Sequence, residues 1–225
     1  MISINKQGSI SLDSVENVEG LRLQFNREHC VCLRQLLAPE LLEFIRQGLD
    51  KAEFQTRVHE CIGSNAELCM TYNSTSSLLH LLLNNQRVFE LIQSITQCGP
   101  IGCFLGRVYR VVPGCGHHDS WHSDLGDHRL VALSINLSRE VYTGGILQIR
   151  ERQAKQLIHE VANTGFGDAI VFRLAADLQH RLTEVGGRVP KTAFAGWFKS
   201  QPSFWSVLKG QSQSGSQQLA ANAGT

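Results

Sequence analysis

The sequence has little of what marks membrane or nucleic-acid-binding proteins. None of its apolar runs approaches the roughly 20 residues that a membrane-spanning helix needs. Charged residues make up 18% of the 225 positions and the formal net charge is +1, so the chain has no global attraction to nucleic acid or to a membrane surface. It also lacks an aromatic–basic patch of the kind that binds nucleic acid. These absences disfavour both kinds of partner.

Paired cysteines with the spacing of a disulfide framework or a zinc site are also absent. The chain has 7 cysteines at irregular intervals, and only Cys30 and Cys32 lie close together. We therefore expect most of the cysteines to be reduced and to act as small buried hydrophobic residues. The first 14 residues alternate polar and apolar side chains and lack the apolar segment of a secretion signal, so we expect a cytoplasmic protein.

The remaining composition is that of a globular chain with 42% hydrophobic residues. A length of 225 residues suits one domain with a sizeable core. Residues 210–225 are rich in Gln, Ser, Gly and Ala, which predicts a disordered tail. The sequence therefore predicts one domain over residues 1–209, with a front region of about residues 1–100 and a core of about residues 101–200.

The front region has the periodicity of helices. A strand-like stretch, His29–Leu37, runs into Pro39, and proline at a first helical position opens a predicted helix over Glu40–Phe54. Apolar residues recur at helical spacing again over Asn73–Gln97. We interpret the front region as a helical layer packed on another element.

The core has a different sequence pattern, in which short runs rich in Val, Ile and Leu alternate with Gly, Pro and Asp. The predicted strands are Phe104–Val112, Arg129–Leu137, Ile146–Arg150, Ala169–Arg173, His180–Val185 and Thr192–Lys199. Several short strands at this spacing, with no helices between them, indicate a β-sandwich or barrel.

One short string carries candidate metal chemistry, namely Trp121-His122-Ser123-Asp124. Residues two apart on a strand project to the same face, so an imidazole and a carboxylate would point into one space. A second imidazole from a later strand would complete a facial triad, which leaves three iron positions open for ligands. A bare His-x-Asp string is weak by itself, and His117-His118-Asp119 is a second copy.

The order of several short elements around this string is more specific. The elements are Pro113-Gly114, Trp121-His122-Ser123-Asp124, Leu130–Leu137, Gly144-Gly145-Ile146-Leu147, Gly167-Asp168-Ala169-Ile170-Val171-Phe172, His180, Lys191 and Gly196-Trp197-Phe198. From Gly106 to Phe198 the sequence thereby resembles the 2-oxoglutarate/Fe(II) oxygenase superfamily, on its prolyl-hydroxylase-like side. The resemblance implies an α+β, mainly β fold: a double-stranded β-helix, similar to jelly rolls and cupins, with N-terminal helices packed on one sheet.

The resemblance also implies the metal ligands. His122 and Asp124 would hold Fe(II) together with a distal histidine. His180 and His159 compete for that role. We choose His180 because it follows the Gly-Asp turn and its strand, as the second histidine of the family does.

Lys191 is the candidate anchor for the distal carboxylate of 2-oxoglutarate, because a buried carboxylate needs a cationic partner. It lies six residues before Trp197, where the family carries Arg or Lys. The family's frequent Ser or Thr two residues further on is Ala193 here. Arg181 and Arg188 are also candidates for the same role.

Four further positions are weaker candidates. Tyr109 lies on a strand leading to the site, where the family often uses a tyrosine for the distal carboxylate. Arg129 and Arg150 could bind an acidic group of the substrate, although charged side chains are mostly solvated. Trp121 is expected to pack beside the iron rather than to touch substrate, although it remains a weak substrate candidate.

The implied function is that of a 2-oxoglutarate- and Fe(II)-dependent dioxygenase, which uses O2 and releases succinate and CO2. The carboxylate of Asp124 argues for hydroxylation of an unactivated C–H bond, because halogenating relatives have Ala or Gly there. The expected substrate is a small molecule, an amino acid, or a peptide or protein, with an amino-acid or peptidyl side chain favoured. Three competing functions are a non-catalytic cupin-like metal-binding module, an interaction protein with a decayed site, and a 2-oxoglutarate-independent Fe(II) oxygenase.

Overall fold

The computed structural model describes residues 2–12, 15–59, 65–115, 119–163 and 165–204. The predicted tail at residues 210–225 therefore lies outside the described residues. Within the described ranges, no helix combines the length and the apolar character that crossing a membrane requires.

The helices come from the front region and the strands from the whole chain. The helices are α1 (Val15–Glu28), α2 (Pro39–Asp50), α3 (Ser74–Leu83) and α4 (Gln86–Thr96). The first strands are β1 (Ile2–Ile4), β2 (Ile10–Leu12), β3 (Cys30–Leu33), β4 (Phe54–His59), β5 (Asn65–Met70), β6 (Cys103–Val111) and β7 (Arg129–Asn136). The later strands are β8 (Thr143–Gly144), β9 (Leu147–Glu151), β10 (Leu157–Val161), β11 (Ala169–Arg173), β12 (Leu178–Leu182), β13 (Val185–Gly186) and β14 (Lys191–Lys199).

A large antiparallel sheet forms the centre of the molecule. Its strands lie in the order β3-β11-β7-β14-β6-β5-β4. The longest pairing joins β14 to β6 and places Gly196 opposite Gly106. A Cβ on Gly196 would lie 2.1 Å from the carbonyl oxygen of Leu105, so only glycine allows this close approach of the two strands.

A smaller antiparallel sheet, β10-β9-β12, lies across from the large one. Its inward side chains Leu147, Ile149 and Leu178 pack in one apolar cluster with Ala132 and Phe172 of the large sheet. The short pair β8 and β13 extends the same layer. Two facing antiparallel sheets are the arrangement expected of a double-stranded β-helix.

The other face of the large sheet carries the helical layer. Phe104, Phe194 and Phe198 are fully buried there, and Phe89 of α4 meets the edge of the Phe198 ring. Asn84, which follows α3, bonds both the N–H and the carbonyl oxygen of Phe104. The helices are thereby fixed to β6 by packing and by hydrogen bonds.

The alternation of side chains along β14 and β6 decides what faces the smaller sheet. On that face β14 carries Lys191, Ala193, Ala195 and Trp197, which lie opposite Val111, Tyr109, Arg107 and Leu105. One face of the sheet is thus apolar and covered by helices, and the other presents polar side chains to the space between the sheets.

The front region differs from its predicted helical character. Strand β3 pairs with β11, and β4 and β5 extend the large sheet beyond β6. Helix α2 ends at Asp50, before the predicted end at Phe54, and helix α1 was not predicted. Short strands such as β4 escape a helical periodicity search because they carry too few residues to show a period.

The predicted helix over Asn73–Gln97 is two helices, α3 and α4. The helix is interrupted at Asn84 and Asn85. The Asn85 side chain accepts a hydrogen bond from the Arg87 N–H at the start of α4. Asparagine favours such caps because its side chain replaces the missing backbone acceptor.

The cysteine expectation is met in part. The six cysteines in the described residues are free, and Cys30 and Cys103 are buried. Cys32, Cys69 and Cys98 are half-buried and Cys115 is exposed, so the predicted full burial of most cysteines is not found among those described.

Candidate active site

Two histidines are brought together by backbone pairing between β12 and the segment after β6. The N–H of His122 donates to the carbonyl oxygen of His180 at 3.1 Å, and the N–H of His180 donates back at 2.9 Å. Their ring centroids lie 4.4 Å apart. His122 and His180 are far apart in the sequence, and an isolated antiparallel β-bridge brings them together.

Asp124 completes a three-residue cluster with these imidazoles. Its Oδ2 lies 3.3 Å from Nε2 of His180, and its Oδ1 lies 3.9 Å from Nε2 of His122. One ligand atom from each of the three residues lies within 4.8 Å of the others. Two imidazoles and one carboxylate that converge in this way form the donor set of non-haem Fe(II) oxygenases.

The orientation of the His122 ring is fixed by its second nitrogen. Nδ1 lies 2.7 Å from the carbonyl oxygen of Ser120. A carbonyl oxygen only accepts, so Nδ1 carries the proton and Nε2 presents its lone pair to the cluster. Metal-binding histidines are commonly oriented through such a bond to a carbonyl.

Asp124 is held from two sides. The indole N–H of Trp197 donates to Oδ2 at 3.0 Å, and Arg129 donates to Oδ1 at 3.1 Å. The Arg129 guanidinium also stacks on the Trp197 ring at 3.7 Å. Burial acts to raise the pKa of Asp124, but the hydrogen bond and charge of His180, with His122 and Trp197, bring it below its ordinary value. The carboxylate is thus kept ionised, as a metal ligand must be.

The cluster opens into a cavity of about 450 Å³ between the two sheets. This volume lies within the range of small-molecule sites. Apolar side chains from both sheets line its walls, among them Leu147, Ile170 and Phe172. The cavity is therefore large enough for a co-substrate and partly shielded from water.

Lys191 lines the same cavity and is only 4% exposed. Its ammonium donates to the carbonyl oxygen of Gly145 at 3.1 Å and lies 5.7 Å from the centre of the Tyr142 ring. Burial lowers the pKa of Lys191 to about 8, and the charge of Asp119 opposes that shift. An ammonium has three donors, so one hydrogen bond leaves this buried cation in need of an anionic partner.

Gly145 makes room for this lysine. Its φ of +58° lies in the left-handed region, and a Cβ there would lie 3.0 Å from Cδ of Lys191. The Gly144-Gly145 pair of the sequence therefore serves the packing of Lys191 as well as the turn.

Tyr109 also faces the cavity, from the strand beside Lys191. It is buried and lies opposite Ala193 in the pairing of β6 with β14. Burial raises the pKa of the Tyr109 phenol, with smaller contributions from the charges of Glu67 and Asp119, so the phenol keeps its proton. It can thus donate a hydrogen bond to a carboxylate bound near Lys191.

Of the three predicted substrate residues, only Arg129 lines this cavity. Arg129 is engaged with Asp124. Trp121 lies outside, with its ring between the guanidinium groups of Arg150 at 4.2 Å and Arg181 at 4.6 Å.

The residues that competed for the iron-ligand and carboxylate-anchor roles are also placed elsewhere. Arg188 is exposed and does not line the cavity. His159 lies on β10, with its Nε2 3.9 Å from a Glu28 oxygen. In the second His-x-Asp copy, His117 and His118 lie outside the described residues, whereas Asp119 lines the cavity.

Sequence reasoning missed several polar residues that line the cavity, among them Asn163, Arg57, Glu67 and Arg107. Asn163 is buried and its Oδ1 has no partner among the described residues. Arg57, Glu67 and Arg107 line the cavity from β4, β5 and β6. The spacing of Arg107 two residues before Tyr109 was a usable signal, because both project to one face of a strand.

Comparison with known families agrees with this geometry. Residues 106–199 match the 2OG-Fe(II) oxygenase superfamily. That range begins in β6, ends with β14 and contains the His122, Asp124 and His180 cluster as well as Lys191. A sequence search among curated proteins finds no match.

Solved structures with low sequence identity share the fold. An oxidoreductase of the 2OG-Fe(II) oxygenase family from Burkholderia pseudomallei is 13% identical, with a TM-score of 0.65 over 90% of this chain and 98% of that one. A Pseudomonas putida prolyl-4-hydroxylase is 16% identical, with a TM-score of 0.58 over 82% and 100% of the two chains. A prolyl hydroxylase from Trichoplax adhaerens, in complex with a hypoxia inducible factor peptide fragment, is 13% identical, with a TM-score of 0.58 over 82% and 90%.

The match over residues 106–199 identifies a 2OG-Fe(II) oxygenase domain in the chain, and the predicted fold class is confirmed. The protein is an enzyme of this class, whose cofactors are Fe(II), 2-oxoglutarate and O2. The prolyl-hydroxylase-like structures describe the same fold and do not by themselves assign a substrate.

Proposed function

We propose that the chain is a dioxygenase that hydroxylates an unactivated C–H bond of an amino-acid or peptidyl side chain. The observation that carries the proposal is the single cavity that contains the His122, Asp124 and His180 cluster together with the buried cation of Lys191. A metal-binding module without turnover has no need of a buried lysine facing its metal.

The iron would be held by Nε2 of His122, Nε2 of His180 and a carboxylate oxygen of Asp124. Ligand imidazoles must be neutral, and the Ser120 carbonyl holds His122 in the tautomer with a free Nε2. Asp124 keeps acceptor capacity for a metal, since a carboxylate offers about four lone-pair sites and Trp197 and Arg129 occupy two.

2-Oxoglutarate would place its distal carboxylate against Lys191. The ammonium makes only one hydrogen bond in the described structure, so a carboxylate would satisfy donors that are otherwise idle. The Tyr109 phenol lines the same cavity and could supply a second hydrogen bond. Lys191 acts there as a point charge and cannot form the two-pronged pairing of arginine.

Bound iron and 2-oxoglutarate would supply the oxidising power for the reaction, which the protein side chains lack. The chain's own contribution is position and exclusion of water. Trp197 and Arg129 hold the Asp124 carboxylate, while Leu147, Ile170 and Phe172 form apolar walls. The carboxylate at position 124 supports hydroxylation because halogenating relatives have Ala or Gly there, which leaves room for a halide.

The similarity to the Trichoplax adhaerens prolyl hydroxylase, which is in complex with a peptide fragment, supports a peptidyl or amino-acid substrate. The identity is 13%, so the likeness is one of fold and does not identify the residue that is hydroxylated.

The first test is to form the anaerobic complex with Fe(II) and 2-oxoglutarate. Its weak visible metal-to-ligand charge-transfer band reports that the complex has formed. We expect the band in the unchanged protein, and succinate on admission of O2. Absence of the band under conditions where iron is shown to bind would contradict the 2-oxoglutarate assignment. Iron binding with O2 consumption but no succinate would instead support a 2-oxoglutarate-independent oxygenase.

A further inference from the structure

One group of cavity residues lies on β4 and β5 of the front region and on the adjacent β6, and it takes no part in holding iron or 2-oxoglutarate in the proposal above. Arg57 on β4 lies directly opposite Glu67 on β5 in the strand pairing. Arg107 on β6 reaches the same Glu67. All three side chains line the cavity, so adjacent strands place two arginines around one carboxylate on its wall.

The contacts within this group orient one arginine and leave the other available. Glu67 is only 5% exposed, and its Oε1 accepts from Nη2 of Arg107 at 2.9 Å and from Nε at 3.1 Å. The guanidinium of Arg107 is thereby held against the cavity wall. Arg57 is exposed at the opening and forms no ion pair with any residue in the described ranges.

The charges around the cavity leave a place for one further anion. In the described structure, the lining cations are Arg57, Arg107, Arg129 and Lys191, and the lining carboxylates are Glu67, Asp119 and Asp124. The two positive charges of Fe(II) and the two negative charges of 2-oxoglutarate cancel. Among the described lining residues, one positive charge is therefore left over in the loaded cavity, and Arg57 is the cation best placed to use it.

We infer that Arg57 and Arg107 form the binding site for a carboxylate of the substrate, and that the substrate is a small monocarboxylic acid of amino-acid size, with its amino group acylated or absent. This inference rests on the proposed function, since it concerns the substrate of that same cavity. A single negative charge matches the excess, whereas a phosphate monoester carries about −1.5 to −2. A cavity of about 450 Å³ that also holds 2-oxoglutarate favours a small substrate.

The test uses matched pairs of probes, the twenty N-acetyl L-amino acids and their carboxamides. Each is added to the anaerobic protein with Fe(II) and 2-oxoglutarate, and binding is followed as a perturbation of the visible band. We expect at least one acid to bind about tenfold or more tightly than its amide, because a charge-assisted hydrogen bond is lost in the amide. The same acid should accelerate succinate formation when O2 is admitted.

Variants assign the preference to the arginines. Arg57→Gln should lower the preference for acid over amide to below about threefold, and Arg107→Gln should do the same, while the band without probe stays unchanged. Arg87→Gln is the control, since Arg87 is exposed on α4 and does not line the cavity. Arg107→Gln leaves Glu67 buried without that partner and can impair folding, so the exposed Arg57 is the decisive position.

Three outcomes overturn the inference: no acid binds, acids bind no better than amides, or the preference survives in Arg57→Gln. In a separate experiment, the acid that binds best and its carboxamide are titrated calorimetrically into the metal-free protein and into its metal-free Arg57→Gln variant. We expect the unchanged protein to prefer the acid and the variant to lose that preference. If the visible band never forms, the proposed function fails, and the calorimetric arm still decides whether the arginines bind a carboxylate.

Discussion

The two ends of the cavity are built differently. At the metal end, His180 is 7% exposed, and His122 and Asp124 are each fixed by hydrogen bonds to groups outside the cluster. At the other end, Arg57 lies exposed at the opening on the edge strand β4. The metal end is held on all sides, whereas the arginine end is partly open.

The difference separates two tasks within one cavity. Holding a metal requires ligands kept in a fixed geometry, and buried residues with second hydrogen bonds provide it. Selecting a substrate requires groups that reach the opening, and side chains on exposed edges provide those. The core strands thus carry the chemistry, and the front strands are the natural place for specificity.

The largest effect is expected from His180→Ala. We expect iron binding to fall by about 100-fold or more, because a lost ligand should cost at least as much as the roughly 10–100-fold typical of its supporting residues. Iron retained after anaerobic dialysis measures the effect. His159→Ala is the matched control, since His159 lies on β10 outside the cavity, and it should retain iron as the unchanged protein does. Equal loss in both variants would show that the cluster is not the metal site.

Lys191→Met should separate co-substrate binding from metal binding. We expect the affinity for 2-oxoglutarate to fall about 30-fold or more, because truncating one partner of a buried charge pair costs about 2 kcal/mol or more. Titration of the charge-transfer band measures this affinity. Iron binding should be unchanged, since Lys191 makes no contact with the cluster. A variant with full affinity would move the anchor to another cation of the cavity.

Trp197→Phe tests whether the metal end depends on its supporting bonds. The substitution removes the indole N–H that bonds Asp124 Oδ2 and keeps an aromatic ring for Arg129 to stack on. We expect iron affinity to fall by about tenfold, at the low end of what lost supporting residues cost. The apo protein should melt at nearly the same temperature. An unchanged affinity would mean that Arg129 alone positions the carboxylate.

The same division explains what the sequence could predict. In the core, each predicted strand is present within a few residues of its predicted ends, as Arg129–Leu137 and β7 (Arg129–Asn136) show. Strand alternation also predicted that Lys191 and Trp197 lie on one face of β14, and the pairing of β14 with β6 agrees. These results follow from a period of two, which is a local property. The backbone bridge that joins His122 to His180 is not local, and only the family order pointed to it.

The strands and cavity residues of the front region were harder to predict from the sequence, for a physical reason. Arg57 and Glu67 lie on strands that join the sheet through β6, which is distant in sequence, and neither strand carries the run of Val, Ile and Leu that marked the core strands. Their role depends on pairing across the sheet, so no feature of the residues alone marks them as cavity groups. Arg150 and Trp121 were predicted only as weak substrate candidates, and in the structure they stack on each other outside the cavity.

The last expected effect, about as large as that of Trp197→Phe, is a pH dependence at the buried end of the cavity. Burial lowers the pKa of Lys191 to about 8, while a bound carboxylate would favour its protonated form. The affinity for 2-oxoglutarate should therefore stay constant below about pH 8 and weaken above it, by about tenfold between pH 7 and pH 9. Anaerobic titrations of the visible band across this range measure it, with iron occupancy checked at each pH. In Lys191→Arg the affinity should not change with pH, because a guanidinium keeps its charge. The same slope in that variant would assign the titration to a group other than Lys191.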